Sequence, residues 1–455
     1  MTLPLTLVFP PSEPMANARL FVANGFSNGD NNLLVYHRGT FRRWSGSAWP
    51  QVPDDELESA VYLAFEHAVY TMARVPQPIP FRPDKNKVAG IVAALKAVTQ
   101  VPQSVEMPAW LGGQGPIHPR DLMPMINGLL HVRDRRMLPP TPTFFCPYAL
   151  PYQYDPTAPP PQHLLRFLND LWPNDIESQN TLQEVMGLYL TPDTRHQKIV
   201  LVVGPRRSGK GTIGRVITGL LGRENVAGPT LASLGTNFGL QPLIDRPVAI
   251  VSDARLSGRA DGAVVVERLL TISGEDTITI DRKYRGQWTG KLNTRLIILT
   301  NELPRFFDAS GALASRFVVL KLSRTFLGKE DQMLTEKLLS ELPGVLKWSL
   351  DGLDRLRQRG YFCQPISASG LISQMEDLGS PISAFLRDCC QLGPRLSVPV
   401  KDLYAAWKKW CEEQGQAAGS AQTLGRDLHT VIPDLITTMP RINGKQVRHY
   451  VGLAL

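Results

Sequence analysis

One stretch of this 455-residue chain has the residue types and spacing that phosphate chemistry needs. It runs Lys198-Ile-Val-Leu-Val-Val-Gly204-Pro205-Arg206-Arg207-Ser208-Gly209-Lys210-Gly211-Thr212. The apolar run from Ile199 to Val203 reads as a buried strand, and Ile213 to Leu221 read as the helix that follows the loop. A glycine-rich loop that ends in Gly-Lys and opens a helix is the order of a triphosphate-binding P-loop. Backbone N–H groups wrap the phosphates, Gly204 and Gly209 permit close approach, Lys210 neutralises charge, and a hydroxyl helps to hold Mg²⁺. ATP and Mg²⁺ are therefore the expected ligands. Position 211, where Ser or Thr usually follows the lysine, is Gly, so the metal-holding hydroxyl falls to Thr212 and Gly211 contributes its N–H. The plainer alternative, a chance glycine turn, leaves the complete strand, loop and helix order unexplained.

Three further segments carry candidate partners. Arg246-Pro-Val-Ala-Ile-Val-Ser-Asp253 reads as a second core strand that delivers a carboxylate, or simply as a buried strand with an acid at its exit. Arg295-Leu-Ile-Ile-Leu-Thr-Asn301 ends an apolar strand in an amide able to bond a γ-phosphate or orient water. Gly311-Ala-Leu-Ala-Ser-Arg316 places an arginine just before a strand, as an arginine finger for a neighbouring subunit or as an ordinary surface ion pair. Between them, Ile272 to Lys291 reads as a hairpin carrying two aromatics, Tyr284 and Trp288, with a basic, aromatic tip, Arg282-Lys283-Tyr284-Arg285. Such a tip suits a phosphate backbone and a stacked base, or is a solvated turn.

These residues need a scaffold. Short β-rich runs alternate with helical runs from 198 to 325, the rhythm of a nucleotide-binding α/β core. Helices are expected over 57–70, 87–98, 163–190 and 331–358. The proline-dense segment 136–161 reads as an extended connector and a domain boundary. Gln364 to Gly370 reads as a second linker. The net charge of +8 fits nucleic-acid contact without establishing it. Five cysteines without a C-x-x-C pair argue against a disulfide framework or a zinc site, and Cys389 and Cys411 are expected to pack as small apolar groups. The N-terminus lacks a basic n-region, and no apolar run approaches the roughly 20 residues that span a bilayer. No membrane association is expected.

The set of motifs resembles the superfamily 3 helicase domain of phage and plasmid primase-helicase proteins, over about 160–325. The flanks are similar too: Leu182 to Leu190 resembles the lead-in to that family's P-loop, and Asp121 to Asp155 its poxvirus-type N-terminal domain. Many relatives carry Glu where this chain has Asp253. At the C-terminus, helices beginning at Ser380, Leu403 and Leu424 precede a hairpin from Arg441 to Tyr450 with Asn-Gly at its turn. This looks like a winged helix with a DNA face at Arg426, Arg441, Lys445 and Arg448, or a protein-docking module. Trp407 and Trp410 are expected in its core.

The resemblance implies an α/β chain: a P-loop AAA+-like helicase core, a mainly helical N-terminal domain and a C-terminal winged-helix-like domain. Its divisions are 1–160, 161–345, a helical segment and linker over 346–375, and 376–455. It implies an ATP-dependent DNA helicase of a phage, prophage or plasmid-type element, acting in replication in the cytoplasm of a bacterial host. By the resemblance, subunits would form a hexameric ring, with single-stranded DNA in the channel, duplex at the C-terminal domain, and a separate primase or polymerase as a partner. Lys210, Thr212, Asp253 and Asn301 would act in one subunit and Arg316 from its neighbour. The collar region begins near Ala16, so primer synthesis is not expected. Two rivals stay open: an ATP-regulated origin-binding initiator without processive unwinding, and a small-molecule kinase, since Gly-Lys-Gly-Thr also occurs in nucleoside monophosphate kinases.

Overall fold

A computed structural model describes residues 4–455 except 30, 74, 255–261, 305, 307–311, 415, 416, 443 and 444. In chain order the strands around the P-loop are β1 (Ile199–Val203), β2 (Val226–Ala227), β3 (Val248–Ser252), β4 (Ile278–Arg282), β5 (Arg285–Gly290), β6 (Arg295–Thr300) and β7 (Phe317–Lys321). β4 and β5 pair with each other as an antiparallel hairpin. The other five form one sheet in the order β2-β3-β6-β1-β7, and all its pairings are parallel. A parallel sheet needs both faces covered, which is why these runs are continuously apolar. Successive side chains serve opposite faces. Val200 and Val202 enter one core with Ile297 and Leu299, whereas Ile199, Leu201 and Val203 enter the other with Leu296 and Ile298.

The first core is closed by helices α1 (Gln162–Leu171), α2 (Ile176–Tyr189), α3 (Lys210–Leu221) and, later in the chain, the helix Leu342–Arg359. That last helix lies against α2 at backbone contact distance. A Cβ on Gly352 would come within 2.6 Å of the Gln183 carbonyl, and one on Gly187 within 2.2 Å of the Ser349 oxygen. Glu184, buried in this seam, accepts from Arg355 at 2.7 Å and from Arg359. The second core is closed by α4 (Gly262–Gly274), the hairpin residues Ile278, Ile280 and Trp288, and α5 (Ala312–Arg316).

The expected helices over 57–70 and 331–358 are divided differently: Asp54–Phe65 gives way to a strand at Val69–Met72, and Leu334–Ser340 is separate from Leu342–Arg359. The N-terminal region is not mainly helical. Helices Pro14–Gly25, Asp54–Phe65 and Lys85–Val98 pack with several short antiparallel strand pairs, among them Leu34–His37 with Thr40–Arg43. Prolines and tight turns keep these strands short. The connector over 136–161 is not a gap between cores. Met123, Leu130, Leu150 and Tyr154 share the first core with the P-loop helix, so packing continues across position 160.

The C-terminal unit contains α6 (Pro381–Cys389), β8 (Gln391–Pro399), α7 (Val400–Glu413), α8 (Ala421–Val431), β9 (Ile436–Thr438) and β10 (His449–Ala454). Its sheet is antiparallel in the order β8-β10-β9. β8, not expected from the sequence, lies between the first and second helices of the unit and pairs with β10. Trp407 and Trp410 stack with centroids 5.6 Å apart inside its core, beside the fully buried Cys411. Cys389 packs partly buried against that core. Asn443 and Gly444, where the hairpin turn is expected, and Gly311 lie outside the described residues. Among the described residues no helix is long and apolar enough to cross a membrane.

Candidate nucleotide and nucleic-acid sites

Strand register decides which predicted residues meet. Val203 stands level with Thr300 and with Lys321, and Ser252 with Leu299. Gly204, Asn301 and Asp253 therefore all leave the sheet at its carboxyl edge, where α/β sheets bind ligands. The Gly204 N–H donates to the Thr300 carbonyl at 3.2 Å, and the Asp253 N–H to the Leu299 carbonyl at 2.8 Å. Asp253 is exposed and has φ 79°, a left-handed conformation that Asp tolerates better than most residues.

Gly209 caps α3 with φ 93°, and a Cβ there would come within 2.8 Å of Leu171 Cδ2. Only glycine meets both conditions, so the loop can turn its N–H groups toward the cleft. The Lys210 ammonium donates to the carbonyls of Gly204 at 2.7 Å and Pro205 at 2.6 Å, and to Ser208 Oγ at 3.2 Å. Loop oxygens thus occupy its three donors. Burial pushes Lys210 below the usual lysine range. The cleft beside it has a volume of about 870 Å³. Seven lysines and arginines line it against three acids, Asp170, Glu330 and Asp331. Pro205 is part of the same loop, the Arg207 carbonyl accepts from the Phe326 N–H at 2.8 Å, and the Arg206 carbonyl accepts from Thr325 Oγ1 at 2.8 Å.

Loop geometry, charge and volume fit a nucleoside triphosphate. Of the two groups expected to hold a divalent cation, the Thr212 hydroxyl lines the cleft, and the Asp253 carboxylate leaves the same sheet edge without lining it. Among the described residues no group of three or more His, Cys, Asp or Glu could hold a metal. Such a cation would complete its shell with phosphate oxygens and water. Thr212 is buried, and its Oγ1 accepts from Arg215 Nη2 at 3.0 Å. Arg215 was not among the sequence candidates. Its signal was present as an arginine three places after Thr212 on the same helix.

Arg316 is not in this cleft. It ends α5 just before Phe317, which pairs with Ile199 at the amino edge of the sheet. Five strand residues separate it from its own P-loop, about 16 Å at strand rise. Its guanidinium donates to Gln197 Oε1, and neighbouring Lys198 donates to the Ser315 carbonyl at 2.6 Å. Burial, with a smaller push from Arg316, lowers Lys198.

The hairpin tip divides its four candidates. Tyr284 is fully exposed at φ 59°. Lys283 Nζ lies 5.8 Å from the centre of the Phe238 ring. Arg282 donates to the Arg38 carbonyl at 3.2 Å, and Arg285 pairs with Asp54 at 3.1 Å, so both reach the N-terminal region. Burial, then Arg285, lowers Arg282. The second aromatic, Trp288, is in the core rather than at the tip. In the C-terminal unit Arg426, Arg441, Lys445 and Arg448 are all exposed; Arg426 has Asp427 at 3.2 Å.

Two segments match family models: residues 202–316 a family of unknown function, DUF5906, and residues 380–452 the Poxvirus D5 protein-like family. The poxvirus-type match thus falls on the C-terminal unit. Among solved structures, the apo structure of the NrS-1 C terminal region is 13% identical, with TM-score 0.55, covering 97% of this chain and 99% of that one. Its A form apo structure is 14% identical, with TM-score 0.52, covering 92% and 96%. At these identities the likeness is one of fold. The D5-like match covers the C-terminal unit alone, and the likeness to the solved structures shows that the fold of nearly the whole chain is shared.

Proposed function

We propose that the chain is an ATP-dependent DNA helicase that works as a ring, with each ATP site completed by the neighbouring subunit. The observation that carries this reading is the division of its candidates between the two edges of one sheet. Lys210, Thr212, Asn301 and Asp253 share the carboxyl edge, and Arg316 stands at the amino edge. An arginine about 16 Å from its own loop cannot serve that loop. A head-to-tail ring would bring it to the next one.

In the proposed site the loop N–H groups from Arg206 to Thr212 bind phosphate oxygens, and Lys210 exchanges its loop carbonyls for them. Mg²⁺ entering with the triphosphate would neutralise developing charge. Asp253 holds the cation or its water, and Asn301 orients the attacking water. Arg316 of the adjacent subunit adds positive charge to the transferring phosphoryl group. Tyr284 and Lys283 contact single-stranded DNA in the channel, and the C-terminal unit contacts duplex.

Lys210→Ala is expected to reduce hydrolysis stimulated by single-stranded DNA at least about a hundredfold; undiminished turnover would sink the assignment. Arg316→Ala should bind nucleotide normally and lose turnover. Mixing it with Lys210→Ala subunits should restore some sites, and no recovery counts against action in trans. The Arg285–Asp54 contact favours a second reading, an ATP-regulated initiator whose hairpin stays docked. Strand displacement on a forked duplex separates the two, because only a helicase separates strands in step with hydrolysis.

A further inference from the structure

Helix α3 departs from the usual P-loop pattern at two linked places. Position 211 has no side chain, and an arginine folds back over it. A Cβ built on Gly211 would have Arg215 Nη1 as its neighbour at 3.4 Å. From there Nη2 donates to Thr212 Oγ1 at 3.0 Å and Nε donates to Thr335 Oγ1 at 3.0 Å. Two hydroxyls on different helices thus fix the guanidinium plane at the wall of the phosphate cleft.

Two consequences follow from charge. The Thr212 hydroxyl oxygen already receives a cationic donor, so a divalent cation on the same oxygen would face like charge at close range. Arginine cannot discharge itself by losing a proton. No carboxylate among the described residues forms an ion pair with Arg215. Its remaining N–H groups, at the wall of an excess-positive cleft, lack the anion that a guanidinium fork matches best.

We infer that Arg215 is a triphosphate-binding residue of its own subunit, and that it takes over charge neutralisation that a P-loop hydroxyl usually delegates to Mg²⁺. The inference rests on the nucleotide reading of the cleft. It implies that nucleotide binding tolerates metal removal unusually well, and that a side chain reaching beyond Cβ at position 211 would crowd the guanidinium.

The test is titration of the full-length chain with a fluorescent ATP analogue, once with Mg²⁺ and once with EDTA. The unsubstituted chain should bind under both conditions. Arg215→Ala should weaken binding about ten- to a hundredfold in EDTA, the loss of one or two charge-assisted hydrogen bonds, and less in Mg²⁺. Gly211→Ser, which supplies the missing hydroxyl and crowds the arginine, should shift the chain the same way, toward metal dependence. It guards against a folding defect specific to Arg215→Ala. If Arg215→Ala and Gly211→Ser both bind as the parent does in EDTA while Lys210→Ala does not bind, Arg215 only braces two helices and the inference is overturned. Failure of the parent to bind without metal overturns it too. If Lys210→Ala binds normally under both conditions, the nucleotide reading itself fails, a result distinguishable from the others.

Discussion

The two edges of the central sheet are built in opposite ways. At the carboxyl edge cations outnumber acids, and Lys210 is held by loop carbonyls that phosphate oxygens can replace. At the amino edge charge meets protein partners. Arg42 of the N-terminal region pairs with Asp245, which also accepts from Gln51 at 2.6 Å. Arg316 finds Gln197, and Arg285 finds Asp54. The first edge is arranged for an anionic ligand. The second is a joint, where the hairpin and Arg316 are held by neighbouring parts of the chain.

The contrast predicts which substitutions report on stability and which on function. The largest effect at the amino edge is expected from Asp245→Ala. It strands Arg42, whose side chain is only 4% exposed. Breaking one side of a buried pair costs about 3–5 kcal/mol. Chemical denaturation should show this loss while nucleotide affinity stays unchanged; a matching loss of affinity would mean that the two edges are not separate.

A pH effect should follow at the same joint. His37 is fully buried, its Nε2 lies 3.0 Å from the Val105 carbonyl, and its Nδ1 has no hydrogen-bond partner among the described residues. Burial, then Arg42 and Arg38, lowers its pKa from 6.5 to about 4. The unfolded chain therefore takes up a proton before the folded chain does. His37 contributes its stability above pH 6.5 and loses it as pH falls toward about 4. His37→Gln should flatten the unfolding free energy across that window; an unchanged slope would place the titration elsewhere.

The smallest change is expected from Asp54→Asn. This pair is partly exposed, so its release is worth about 0.2–1 kcal/mol, at most about fivefold in affinity. Freed from Asp54, Arg285 should bind single-stranded DNA more tightly, with the gain largest at low salt. Weaker binding would show that the docked hairpin is the DNA-binding form.

Much of the core was legible because its elements are locally consistent. The runs of β1, β3, β6 and β7 are long enough and apolar enough to be buried strands in any plausible fold, and Gly-Lys before an apolar helix leaves little choice of loop. β8 was not legible. Its residues include Gly393, Pro394 and Pro399, which locally argue against a strand. It forms at the edge of its sheet, where β10 supplies the partner and a register shift between Leu392 and Ser397 accommodates the irregularity. Trp288 shows the same limit from the other side. In sequence it is a second aromatic near a basic tip, but the pleat turns it inward beside Ile280.

By itself the sequence determined the phosphate loop, the apolar strands behind it and the candidate residues at their exits, because these depend on neighbours a few positions away. Only the tertiary structure decided that Asn301 and Asp253 lie level with Gly204 while Arg316 lies at the opposite edge, because parallel register is set by pairing between distant segments. It also decided that Arg215 lies beside Gly211 and that the hairpin arginines reach the N-terminal region. Long cationic side chains can point in many directions, and the charges that choose among them come from elsewhere in the chain.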